Sequence, residues 1–129
     1  IDTLSTMYLN NSGTGRVAGS VYEEPQENVQ VSNVKVNDTS VNVPFAQDGN
    51  DGNVTIALTA SGVETAGRFK FGYKDDESGN YTLGNAIVNG ANSYHTTIGS
   101  PSTTRKFAII DTQDDNREYL VLGTYSFTF

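Results

Sequence analysis

The apolar residues of this chain recur with a period of two, and nowhere is a period of 3.6 sustained. That single feature removes helical folds and leaves strands. The clearest run is Val54-Thr55-Ile56-Ala57-Leu58-Thr59, apolar on one face and small or polar on the other. In Arg68-Phe69-Lys70-Phe71-Gly72-Tyr73-Lys74 aromatics alternate with charges. Val29 and Val31 are followed by Val34 and Val36, a phase slip that predicts a bulge at Ser32-Asn33. Thr, Val, Tyr, Phe and Ile fill these runs, as pleated strands favour.

Turn residues punctuate the runs at short intervals. Asn37-Asp38 separates two valine-rich stretches. Longer loops are expected at Gln47–Asn53 and Lys74–Asn80, and Gln113–Asn116 closes the last hairpin. Asn89-Gly90 carries the strongest type I′ hairpin signal, because both central residues of that turn need positive φ. The pattern predicts about ten strands, at 3–9, 16–22, 28–36, 40–46, 54–60, 67–74, 81–88, 93–98, 104–111 and 118–128. Short connections favour antiparallel neighbours. The expected fold is an all-β antiparallel β-sandwich of jelly-roll or Ig-like type, with a meandering β-barrel as the alternative. The 129 residues suit a single domain spanning 1–129. Ile1-Asp2-Thr3-Leu4 has no leader character and residue 1 is not Met, so a processed exported protein or an excised domain is expected.

Charge and cysteine content exclude several chemistries. Eight Lys and Arg against 15 Asp and Glu give a net charge of -7, which disfavours nucleic acid and anionic membrane surfaces as partners. No cysteine is present, so thiolate metal sites and thiol nucleophiles are absent. No apolar run is long enough for a membrane helix. His95 is the one histidine, no Gly-x-Ser-x-Gly elbow occurs, and no acid–base–nucleophile set assembles. The chain is therefore expected not to be an enzyme. Asp75-Asp76 and Asp114-Asp115 are loop neighbours whose members point apart, unlike a glycosidase pair.

In a strict meander, the loops near 23–27, 47–53, 75–80 and 99–103 share one end. That end would gather Glu23, Glu24, Glu27, Asp48, Asp51, Asp75, Asp76 and Glu77, eight of the 15 carboxylates. Asp48, Asn50 and Asp51 offer oxygen ligands of the kind calcium takes, and calcium is the one cofactor the sequence suggests. Tyr94, near a predicted strand end, is a candidate platform for a sugar or a protein. The candidate binding residues are thus Asp48, Asp51, Asp75, Asp76 and Tyr94. The stripes Phe69, Phe71, Tyr73 and Tyr125, Phe127, Phe129 are expected to face a core. Four Asn-x-Ser/Thr sequons occur, at Asn10, Asn37, Asn53 and Asn80.

Val121, Gly123, Tyr125, Phe127 and Phe129 alternate to a terminal Phe. This stretch resembles the C-terminal signature of bacterial outer-membrane β-barrels, which implies a membrane barrel. The other strands depart from that family, being too short for a lipid-facing band. The final strand is also similar to the closing strand of pilins assembled by strand exchange, but the cysteine pair common there is missing. A surface rich in Thr, Ser, Asn and Gly and poor in Lys is the style of exported β-domains. The expectation is a recognition or structural domain of a cell-surface or virion appendage, such as an adhesin, pilus subunit or fibre head. It would be extracellular, bind a glycan or protein receptor, and act as a homo-oligomer for multivalency. The alternative is a small barrel, either a carrier of an apolar ligand or an outer-membrane protein.

Overall fold

A computed structural model describes residues 27–128. The predicted strands 3–9 and 16–22 lie outside them, as do Glu23, Glu24, Asn10 and Phe129. The described residues form nine strands and no helix: β1 (Gln30–Val36), β2 (Thr39–Ser40), β3 (Phe45–Gly49), β4 (Asn53–Ser61), β5 (Phe69–Lys74), β6 (Thr82–Ala86), β7 (Gly90–Thr97), β8 (Thr103–Asp111) and β9 (Arg117–Phe127). They build two sheets, ordered β2-β1-β4-β7 and β3-β9-β8-β5-β6. All pairings are antiparallel except β3 with β9, which is parallel.

The barrel alternative is overturned, since among the described residues both sheets keep free edges and no barrel closes. The meander is overturned with it. Only β1–β2, β5–β6 and β8–β9 are hairpins; the other short connections step between sheets. The predicted strand 40–46 is the clearest casualty. The chain leaves the first sheet after Ser40 and re-enters the second at Phe45, with Pro44 unable to supply a ladder N–H. β3 then lies beside β9, in the register Phe45↔Gly123 to Gly49↔Phe127.

Alternation explains the inner faces. Val54, Ile56, Leu58 and Ala60 of β4 are buried, and so are Phe69 and Phe71 of β5 and Phe107 and Ile109 of β8. These residues of both sheets share one core. Tyr94 of β7 joins the sheets directly: its ring stacks on Phe71 at 4.9 Å and meets Phe107 edge-on at 6.4 Å. Gly84 of β6 is required there, because a Cβ would fall 2.2 Å from the Tyr94 ring.

The outer face of the second sheet is covered too. Ala108 and Ile110, outside the main core cluster, are fully buried. Tyr81 folds over this face above Gly72, where a Cβ would meet Ile110 Cγ1 at 2.7 Å and Tyr81 at 3.3 Å. The Tyr81 hydroxyl donates to Glu118, which also pairs with Lys106 at 3.1 Å.

Local signals fare unevenly. The expected bulge is present: β1–β4 register shifts between Ser32 and Lys35, with Asn33 at φ 54°. The type I′ turn falls at Asn37-Asp38, at φ 47° and 68°, between the paired Val36 and Thr39. Asn89-Gly90 is not such a turn. Gly90 has positive φ but Asn89 does not, and β6 and β7 belong to different sheets. The Asn89 amide instead clasps Val63, donating to its carbonyl and accepting from its N–H, both at 2.9 Å. The unbroken alternation expected from Val121 onward is interrupted. A register shift brings Leu122 into the core, while Tyr125 and Phe127 are buried as expected.

Gly123 sits at φ 149°, and a Cβ there would lie 2.4 Å from the Phe45 carbonyl oxygen. Gly67 also has positive φ, at 81°, but faces open space. Gly67→Ala should therefore cost only the backbone strain, about 1 kcal/mol, and Gly123→Ala about 3 kcal/mol once the clash is added. Urea unfolding of both variants checks the order.

Candidate functional site

Strand register fixes which loops share an end. Asn53 pairs with Thr97, Lys74 with Lys106, and Thr103 and Gly49 each with Phe127. The β3–β4, β5–β6 and β7–β8 loops therefore lie at one end, with the Asn37-Asp38 turn beside them. Three of the four loops expected to converge do so. Glu27 does not: it lies at the opposite end, bonded to Glu64, Thr65 and Arg68.

Asp48 stands on β3, opposite Ser126, rather than in a loop, and is exposed. Asp51 Oδ1 accepts from the Asn53 N–H at 2.9 Å and from Asn53 Nδ2 at 3.2 Å, so the carboxylate caps its own turn. Its carbonyl accepts from the Tyr125 hydroxyl at 2.8 Å. Asn37 extends the β1–β4 ladder by side chain. Its Oδ1 accepts from Thr55 N–H at 2.8 Å and its Nδ2 donates to Asn53 O at 3.0 Å.

Two shallow concavities flank this turn. One is walled by Asn37, Gln47, Asp48, Asn50, Asp51 and Tyr125. The other is walled by Asn37, Asp38, Asp51, Asn53, Thr55 and His95. His95 is exposed and lies 3.3 Å from Asn53 Oδ1 through Nε2. Among the described residues, neither concavity is lined by Lys or Arg. Asp48, Asn50 and Asp51 thus line one hollow, but no group of three or more His, Cys, Asp or Glu among the described residues is placed to hold a metal ion.

The other three predicted binding residues are not brought together there. Asp75 grips Arg105 with both oxygens, at 2.7 and 2.8 Å. Arg105 is 5% exposed, donates to Thr97 O at 3.1 Å and lies 3.9 Å from the centre of the Tyr73 ring. Burial works to lower the guanidinium's pKa, but the hydrogen bonds and then the charge of Asp75 hold it above its ordinary value. Asp76 turns the other way and accepts from the Ser78 N–H and hydroxyl, which hold its carboxyl below the usual range. Tyr94 is corrected outright: it is buried between the sheets, and burial pushes its hydroxyl up to about 12.

Sequence reasoning missed the polar cluster at the opposite end. Arg68, which alternation places with Lys70 on the face opposite the aromatics, is buried. Its Nε and Nη2 donate to the two oxygens of Asp111, each at 2.9 Å, and Nη1 donates to Glu27 Oε2 at 3.2 Å. Glu27 Oε1 accepts from Glu64 and Thr65 N–H. Tyr119 bridges from β9, accepting from Val29 N–H at 2.8 Å and donating to Glu27 O at 3.1 Å. One guanidinium serves both carboxylates and backbone N–H groups complete their hydrogen bonding, so the cluster is built as a clamp. Its partners stand 41 and 43 residues from Arg68, and no local pattern announces them.

No protein-family model matches this chain, and neither the curated proteins nor the solved structures contain a significant match.

The clamp generates two predictions. Arg68→Met strands two buried carboxylates and should cost about 3–5 kcal/mol, read by denaturant unfolding. The Thr65 side chain, followed by the Glu64 N–H, lowers the Glu27 carboxyl from 4.5 to about 2, against desolvation. Its folded value lies below its unfolded one, so its contribution is complete above about pH 4.5 and disappears as pH falls towards 2. Stability measured across that window should fall steeply in the native chain and less steeply in Glu27→Gln.

Proposed function

We propose that the two sheets form a β-sandwich of jelly-roll or Ig-like type that serves as a non-enzymatic recognition domain. It is displayed outside the cell, on a surface appendage or a virion, and binds a glycan or protein receptor. The observation that carries this reading is the pair of adjoining hollows at one end of the strands. Their walls are amides, carboxylates, threonine hydroxyls, the His95 imidazole and the Tyr125 ring, with no Lys or Arg among the described residues. Loops held at the end of a rigid two-sheet scaffold are a common placement for binding residues. Such walls suit a ligand that offers hydroxyl, amide or cationic groups, and disfavour an anion.

The binding set is revised accordingly. Asp48 and Asp51 remain, and Asn37, Asp38, Asn53 and His95 join them. Asp75 is committed to Arg105 and Tyr94 to the core. A single hollow of this shallow kind binds weakly, so presentation as a homo-oligomer is part of the reading.

Asp38, Asp48 and His95 are exposed and can be changed without opening the core. Asp38→Gly suits the positive φ of its turn. The combined variant Asp38→Gly, Asp48→Ala, His95→Ala should lose at least about tenfold in affinity, roughly 1.4 kcal/mol, in a glycan-array and cell-binding panel. Its unfolding midpoint should stay near that of the parent. Gln113→Ala, at the opposite end, should bind as the parent does. Equal binding by the triple variant would remove this end from consideration.

A further inference from the structure

Three of the four sequons lie among the described residues, at Asn37, Asn53 and Asn80. N-glycosylation attaches a sugar to the Asn Nδ2, and the mature glycan needs surface around it. The structure treats the three asparagines differently. Asn37 uses both ends of its amide to extend the β1–β4 ladder, at 2.8 and 3.0 Å, while its backbone holds φ 47°. Asn53 donates through Nδ2 to Asp51 at 3.2 Å and faces His95 through Oδ1. A sugar on either nitrogen would intrude on a contact that shapes the turn.

Asn80 makes no such commitment. It is exposed, and its amide has no hydrogen bond to any described residue. Thr82, whose hydroxyl completes the sequon, is also exposed, at the first residue of β6. Tyr81 between them is anchored inward. Its hydroxyl reaches Glu118, and the Lys74 amine lies 4.8 Å from the centre of its ring. The sequon is therefore fixed in place by its middle residue and open at both recognition positions. Beside it runs a cleft walled by Gly79, Asp115, Asn116 and Glu118.

We propose that Asn80 is the N-glycan acceptor among the described residues. The assignment rests on the reading that the chain is exported. The donor is an oligosaccharide carried on a lipid pyrophosphate. The Asn80 nitrogen forms a bond to the anomeric carbon as the bond from that carbon to the pyrophosphate oxygen breaks. The amide gives up one proton, and the lipid pyrophosphate leaves with the electron pair. The glycan lies along the outer face of the second sheet, over the cleft that Asp115 and Asn116 help to wall. The hollows around Asn37 and Asn53 stay clear of sugar.

The test is secretion of the full chain from insect cells behind a cleavable leader, followed by mass spectrometry of its glycopeptides. The expected result is an oligosaccharide on the peptide carrying Asn80 and none on Asn37 or Asn53. Asn80→Gln and Thr82→Ala should each lose that glycan, and Thr82→Ser should retain it. An unmodified Asn80 in secreted, folded protein overturns the assignment, and so does a glycan at Asn37 or Asn53. Loss of receptor binding in the triple variant described above is read on a different surface. Failure there would count against the recognition reading and leave the Asn80 result standing.

Discussion

Arg68 holds together parts of the chain that lie far apart in sequence. Its guanidinium spans Asp111 at the end of β8 and Glu27 just before β1, and its carbonyl accepts from the Thr112 N–H at 2.9 Å. Glu27 in turn binds the β4–β5 loop, and Tyr119 ties β9 to the same residues. One buried cation thereby sets the relative positions of four segments drawn from both sheets. Such a cluster contributes less to net stability than its short distances suggest, because taking three charges out of water offsets much of the attraction. Its effect is specificity. A slipped β1 or a shifted β8–β9 hairpin would leave a buried charge without a partner, and that alternative is costly.

Arg105 repeats the device at the other end. It is buried, paired with both oxygens of an aspartate on a loop, and bonded to a backbone carbonyl of the opposite sheet. The core between the two arginines is aromatic and aliphatic, with Tyr94 seated between Phe71 and Phe107. A chain without cysteines has no disulfide to pin its sheets together. Here two bidentate ion pairs, one at each end of a shared core, fix the register instead.

The strands legible in the sequence are those whose alternation contrasts apolar with polar. β4 and β5 read directly from Val54 to Ala60 and from Phe69 to Tyr73, and the bulge at Ser32-Asn33 read from the valine spacing. β7 did not reveal its faces, because Asn92, Tyr94 and Thr96 point inward while Ser93, His95 and Thr97 point outward, and both sets are largely polar. Tyr94 is assigned to the core by Gly84, a residue on another sheet whose missing side chain makes room for the ring. The Asn-Gly signal at 89–90 was real as chemistry and wrong as topology, since the amide was needed by Val63. Arg68 and Arg105 were illegible for a general reason: a charge looks solvent-facing until its distant partner is known. Of the candidate site, the acidic β3–β4 and β5–β6 loops do share an end as expected, although the meander that suggested it is not the topology. Which carboxylates remain uncommitted was not legible, because that depends on Arg105, Ser78 and Asn53 in three dimensions.

The two outer faces of the molecule are built for different ends. That of the second sheet is sealed by its own side chains, with Tyr81, Glu118 and Lys106 closing over Gly72 and Ile110. A partner approaching there would have to displace those contacts before gaining its own. The face of the first sheet is lined outward by Thr55, Ala57, Thr59, Ser93 and His95, short side chains already held by the pleat. Short side chains lose little rotamer freedom when a ligand fixes them, whereas Lys and Arg lose considerably more. The hollows around Asn37 and Asp51 continue this face at its end, and the Asn37 and Asn53 amides are already oriented by hydrogen bonds. Preorganised polar groups of low entropy cost are what the proposed recognition role asks for, and the sealed face of the second sheet offers none.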